Sequence, residues 1–118
     1  MEPDRWTVED VAARIDRGEA DIFVDAREPA AWAASDVTIP GALRIPVDDL
    51  GACAQALPRG RTVVTYAAGP EDGASDRAAL LLTERGFDAH PLYGGFQAWR
   101  DAGLTVQAKA RRGGRGQA

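Results

Sequence analysis

Few residues in this chain of 118 could carry chemistry, and their types narrow it at once. There is one cysteine, Cys53, and one histidine, His90. A lone cysteine excludes an intramolecular disulfide and any thiolate metal cluster, and one residue of each kind excludes a zinc site built on His and Cys. No metal and no cofactor are expected. Carboxylates, arginines, tyrosine, serine and backbone amides remain. Cys53 lies in GACAQAL, a helical stretch away from any strand end, where a thiol behaves as a small inert hydrophobe. His90 is followed by Pro91 and is distant in sequence from every other candidate, so it is given no catalytic role.

Two segments combine polar groups with a strand end. The first is Asp25-Ala26-Arg27, which follows the apolar run Ile22-Phe23-Val24. On their residue types alone, Asp25 and Arg27 there can form an ion pair that ties two loops together. The second follows Tyr66: Ala67, Ala68, Gly69, Pro70, Glu71, Asp72, Gly73 and Ala74 form a small-residue loop that runs into a helix opening at Ser75. Amides in such a loop can converge on one point, and the helix N-terminus adds partial positive charge. That arrangement binds an anion, or lowers the pKa of a thiol placed at its centre. Ser75 suits the N-cap and Arg77 can turn toward the mouth. Glu71 and Asp72 could act as an acid–base pair, but Asp before Gly73 is also ordinary turn chemistry.

The elements that must hold these segments are readable from pattern. Thr7 caps a first helix whose apolar face is Val8, Val11, Ala12 and Ile15, and Gly18 stops it. Ile22 to Val24 is a buried strand, and Pro29 opens a short helix through AAWAA. Leu43 to Ile45 is a brief strand, and Val47 to Leu57 a helix broken by Pro58-Arg59-Gly60. Thr62 to Tyr66 is the clearest strand, β-branched through its centre. Ser75 to Arg85 is a helix ended by Gly86, Phe87 to Tyr93 a strand, and Phe96 to Ala102 a helix. Strands alternating with helices predict an α/β fold with a mostly parallel sheet covered on both faces, and ligands gather at the carboxyl ends of such strands.

The formal net charge is −4 and the apolar fraction 45%, ordinary for one globular domain. Lys109, Arg111, Arg112 and Arg115 concentrate positive charge near the C-terminus, which leaves the body the more acidic part. Residues 1–106 are expected to form the domain and 107–118 a disordered basic tail. An acidic body disfavours nucleic acid, no run is long and apolar enough for a membrane span, and the acidic start MEPDRW does not resemble a secretory signal. A cytoplasmic location is expected, with a small anion or a protein as partner and the oligomeric state open. Trp6, Trp32 and Trp99 are expected to be packing anchors.

Five segments occur in an order that resembles the rhodanese homology domain, from about Arg5 to Val106. These are VDAREPAAW, IPGALRIP, VVTY, SDRAALLLTERGF and YGGFQAW. The resemblance implies a five-stranded parallel sheet flanked by helices, with an active loop at positions 67 to 77 and a pocket shaped in part by Asp25 and Arg27. In that family the first loop residue is a cysteine that takes up sulfane sulfur as a persulfide; this sequence has Ala67 there. A second cysteine found in some long-loop members near the position of Asp72 is absent. Ser35-Asp36-Val37-Thr38 stands where Gly-His usually precedes Ile-Pro-Gly-Ala.

A methyl group has no lone pair with which to attack a sulfur donor. The expectation is therefore a rhodanese-like domain without catalytic residues of the usual kind, acting as a binding or regulatory module. One alternative is a sulfurtransferase whose cysteine has been changed to Ala67. Another is an enzyme of altered reaction that uses loop carboxylates or Arg77. Glu71, Asp72 and Asp76 bring three carboxylates into the loop segment, and one of them is expected to fold inward onto the amide cradle.

Overall fold

Alternation of large apolar side chains along short strands builds the centre of the molecule, seen in a computed structural model that describes residues 4–70 and 72–109. Four strands lie parallel in the order β3-β1-β4-β5: β1 is Ile22–Asp25, β3 Leu43–Arg44, β4 Thr62–Tyr66 and β5 Asp88–Pro91. The register pairs Val24 with Thr65 and Val64 with His90. Successive side chains point to opposite faces of a strand, so Ile22, Val24 and Val63 face one side and Phe23, Val64 and Tyr66 the other. Both sets are buried, as in parallel sheets covered by crossover helices.

On the first face pack α3 (Val47–Cys53), its 3-10 extension Ala54–Ala56 and α4 (Ala74–Glu84), through Leu50, Ala54, Ala78, Ala79 and Leu82. On the second face pack α1 (Val8–Asp16) and α5 (Gly95–Asp101), through Val8, Val11, Phe96 and Trp99. Each fully buried Leu or Val here contributes about 1.5–3 kcal/mol relative to exposure. The short helix α2 (Pro29–Ala33) has no buried residue and leads from β1 across the carboxyl edge.

Several boundaries differ from the pattern reading. The main sheet has four strands where five were expected. The remaining strand pairing is a separate antiparallel ribbon of β2 (Val37–Thr38) and β6 (Gln107–Ala108). That ribbon places Gln107, Ala108 and Lys109 in the folded part, beyond the expected boundary at Val106. Lys109 N–H donates to the Asp36 carbonyl at 2.8 Å, and its ammonium donates to the Trp32 carbonyl at 2.7 Å and lies 3.7 Å from the Trp32 ring centre. Residues 110–118 of the expected tail, with Arg111, Arg112 and Arg115, lie outside the described residues. The last strand ends at Pro91 because Trp6 takes over the pairing: Trp6 N–H donates to Pro91 and Tyr93 N–H donates to Trp6. Helix α4 opens one residue early, at Ala74, because the Asp72 carboxylate accepts the Ala74 N–H at 3.0 Å. Ser75 is therefore a buried first-turn residue and not the cap.

Candidate functional site

The carboxyl ends of β1 and β4 bring both candidate segments to the same edge, with Asp25 paired to Tyr66 in register. Asp25 and Arg27 are 1% and 2% exposed, and form a two-pronged ion pair at 2.9 and 2.7 Å. The same guanidinium donates to the Val37 carbonyl at 3.1 Å and lies 4.7 Å from the Phe96 ring centre. Arg44 closes the arrangement from β3 by donating to the Arg27 carbonyl at 2.6 Å. The pair thus ties the end of β1 to the Val37 backbone, and Arg27, but not Asp25, lines a depression at this edge. Burial, then the nearby Asp25 charge, pushes the Tyr66 phenol well above its ordinary range. Its hydroxyl accepts the Ile39 N–H at 3.3 Å inside the core, so it has no wetted donor at the loop base.

Ala67 follows β4 directly and is fully buried. Its carbonyl accepts the Phe96 N–H at 2.8 Å, and the Ala68 carbonyl accepts the Gln97 N–H at 3.0 Å. The first turn of α5 therefore fixes the first two loop residues. This close approach requires glycine at position 95: φ is +65°, and a Cβ there would lie 2.7 Å from the Ala67 oxygen and 2.9 Å from the Gly69 nitrogen. At the far side of the loop, Thr65 Oγ1 donates to the Ser75 carbonyl at 2.8 Å and ties the strand to α4. Among the described residues, the amides of Ala68, Gly69 and Gly73 meet no protein acceptor.

Two of the three loop carboxylates can be followed among the described residues. Asp72 is engaged with Ala74 N–H, and Asp76 turns away to accept from Arg5 Nε–H at 3.2 Å. Glu71 lies outside the described residues. Arg77 faces Glu28 at 3.3 Å on the surface, close to the Gly73 backbone. The histidine sits elsewhere: His90 stacks on Trp6 at 3.9 Å and meets Asp88 at 2.7 Å. Cys53 is also remote. Arg85, just past α4, donates to the Gly51 carbonyl at 2.7 Å, so the end of α3 that carries Cys53 lies at the far end of α4. Eleven helical residues put that end about 16 Å from the loop.

Pattern reading missed an open depression of about 670 Å³ between α2 and α5, beside the start of the loop. Buried Arg27 and Phe96 and half-buried Ala68 form its floor; exposed Asp36, Gln97, Arg100 and Asp101 stand at its rim. Gln97 and Arg100 occupy unspecified positions in and just after the Gly-Gly-Phe-x-x-Trp segment. Their position on the exposed face of that short helix was the available signal.

A family profile described as Rhodanese-like domain matches residues 7–102. Solved structures of similar fold include a protein from Bacillus halodurans, 27% identical, with a TM-score of 0.77 over 90% of this chain and 77% of that one. A protein from Anabaena sp. is 29% identical, with a TM-score of 0.74 over 87% of this chain and 80% of that one. A rhodanese-like domain protein from Staphylococcus aureus is 23% identical, covers 91% of this chain and 99% of its own, and with a TM-score of 0.74 supports the fold alone. No curated protein matches the chain.

Proposed function

From the premise that this chain belongs to the rhodanese-like domain family, we propose that it is a binding module that has kept the scaffold and lost persulfide chemistry. The observation that carries this reading is Ala67: a methyl group, buried at the carboxyl end of β4, where the anchored loop begins. Persulfide formation needs a thiolate at that point, because the attacking lone pair and the atom that stores the product are the same sulfur. The chain's one thiol, Cys53, is held at the other end of α4. Engagement of Asp72 by Ala74 and of Asp76 by Arg5 favours binding over acid–base chemistry by loop carboxylates. The free loop amides and the adjoining depression supply the polar surface for a small anion or a partner segment.

Sulfur transfer from thiosulfate to cyanide tests the reading in three chains: the native protein, Ala67→Cys and Cys53→Ser. The native chain and Cys53→Ser are expected to be silent. Transfer by the native chain that is lost in Cys53→Ser would overturn the proposal. Transfer gained in Ala67→Cys would mean that the cradle still activates a thiol, and would favour simple replacement of a cysteine; silence there would mean a remodelled loop.

A further inference from the structure

Charges of both signs surround the depression between α2 and α5 without pairing with each other. Among the described residues the Asp36 and Asp101 carboxylates and the Arg100 guanidinium make no ion pair, although all three stand on one rim. Neighbouring opposite charges that leave each other free have space between them. Beneath them lies Arg27, 2% exposed. Its Nε and Nη2 atoms are engaged by Asp25 and Val37, while Nη1 meets no protein acceptor among the described residues. Arg27 lines the depression together with Val37 and Phe96, which its guanidinium touches, and Nη1 is not sealed from solvent. A guanidinium donor that meets no protein acceptor and keeps access to solvent is available to a ligand.

We propose that this depression binds a small zwitterion of the amino-acid type. Its carboxylate would bond to Arg27 Nη1 and Arg100, and its ammonium would lie toward Asp36 and Asp101. Charge balance selects this class. The rim carries both signs, so a simple anion would leave the Asp36 and Asp101 carboxylates unmet. A simple cation would leave the Arg27 donors unmet. Ala31 and Ala34 set small side chains on the walls, as Ala68 does on the floor, and keep room for a compact ligand. The inference deepens the binding-module reading and rests on it.

Isotope-labelled full-length chain, titrated with glycine, β-alanine and 4-aminobutyrate and separately with propionate and propylammonium, tests this by amide chemical shifts. At least one zwitterion is expected to move the amides of Asp36, Val37, Ala68, Gln97 and Arg100, and to bind about tenfold or more tightly than either singly charged probe, a difference of about 1.4 kcal/mol. Arg100→Gln and Asp101→Asn, both exposed, should each weaken that binding about fivefold or more with the unfolding transition little changed. No shift with any of the three zwitterions overturns the proposal, as does propionate binding equally well, which would mark the site as a plain anion site. Sulfur transfer by the native chain would sink the binding-module reading without altering these titrations, so the two failures are distinguishable.

Discussion

Position 95 illustrates how one atom controls the loop. The Gly95 backbone lies against the Ala67 carbonyl and the Gly69 amide in a left-handed conformation. Gly95→Ala therefore adds a clash to backbone strain, and should destabilise the chain by about 2–4 kcal/mol, measured by urea unfolding. The shift changes should concentrate at Ala67 to Gly69. The Asp25–Arg27 pair offers a second test at this scale. Asp25→Asn leaves a buried guanidinium without its countercharge and should cost about 3–5 kcal/mol, whereas the paired change Asp25→Leu with Arg27→Met should recover most of the loss. Denaturant midpoints of the single and the paired variant decide it; equal losses in the two would contradict the account. These residues were visible in the sequence as polar groups after an apolar run. Their mutual pairing and their place beside Phe96 were not, because nothing in a one-dimensional pattern says that α5 returns to the carboxyl edge of β1.

Among elements, long periodic segments were legible and two-residue strands were not. Thr62 to Tyr66 declares itself by β-branching, and α1 by its cap: Thr7 and Asp10 exchange side-chain and backbone hydrogen bonds at 3.1 and 3.0 Å. Val37–Thr38 and Gln107–Ala108 carry no such signal, since two residues have no period and their pairing spans most of the chain. Asp72 likewise reads as a turn residue before Gly73. Only its acceptance of the Ala74 N–H moves the helix start off Ser75. The ribbon yields a prediction of its own. Lys109 clasps α2 through the Trp32 carbonyl and ring, so Lys109→Ala should lower local stability by about 0.5–2 kcal/mol. Hydrogen exchange should quicken at Asp36 to Thr38 while amides of β4 keep their protection. Equal acceleration in β4 would mean that the ribbon is part of the global fold and not a local flap.

At the scale of the whole molecule, the N-terminal segment, β5 and α1 meet around Trp6, with His90 stacked on its ring and Arg14 4.7 Å from its centre. Asp88 stands at this junction. Burial pushes its carboxyl up, but hydrogen bonds from His90 and Thr62, with the His90 and Arg14 charges, outweigh this and hold it below the ordinary value. A carboxylate depressed on folding stabilises the protein fully above its unfolded pKa, and that stabilisation is lost as pH falls through the lower, folded value. Urea midpoints should thus decline as pH drops below about 4, and Asp88→Asn should flatten part of that decline. An unchanged slope in the variant would remove Asp88 from the account. At this scale the sequence also carried the α/β class and the parallel arrangement, because apolar strand runs alternate with amphipathic helices. The strand count was misjudged, since the antiparallel ribbon stands apart from the main sheet.

The hydrogen bonds from Phe96 and Gln97 to the carbonyls of residues 67 and 68 also impose an order of assembly. During synthesis the loop emerges nearly thirty residues before the turn of helix that anchors it, at about 5–20 residues per second. Through that interval the nascent chain holds the segment without the clasp that shapes it. The shape of this edge, and any recognition proposed for it, therefore matures late, only when α5 docks.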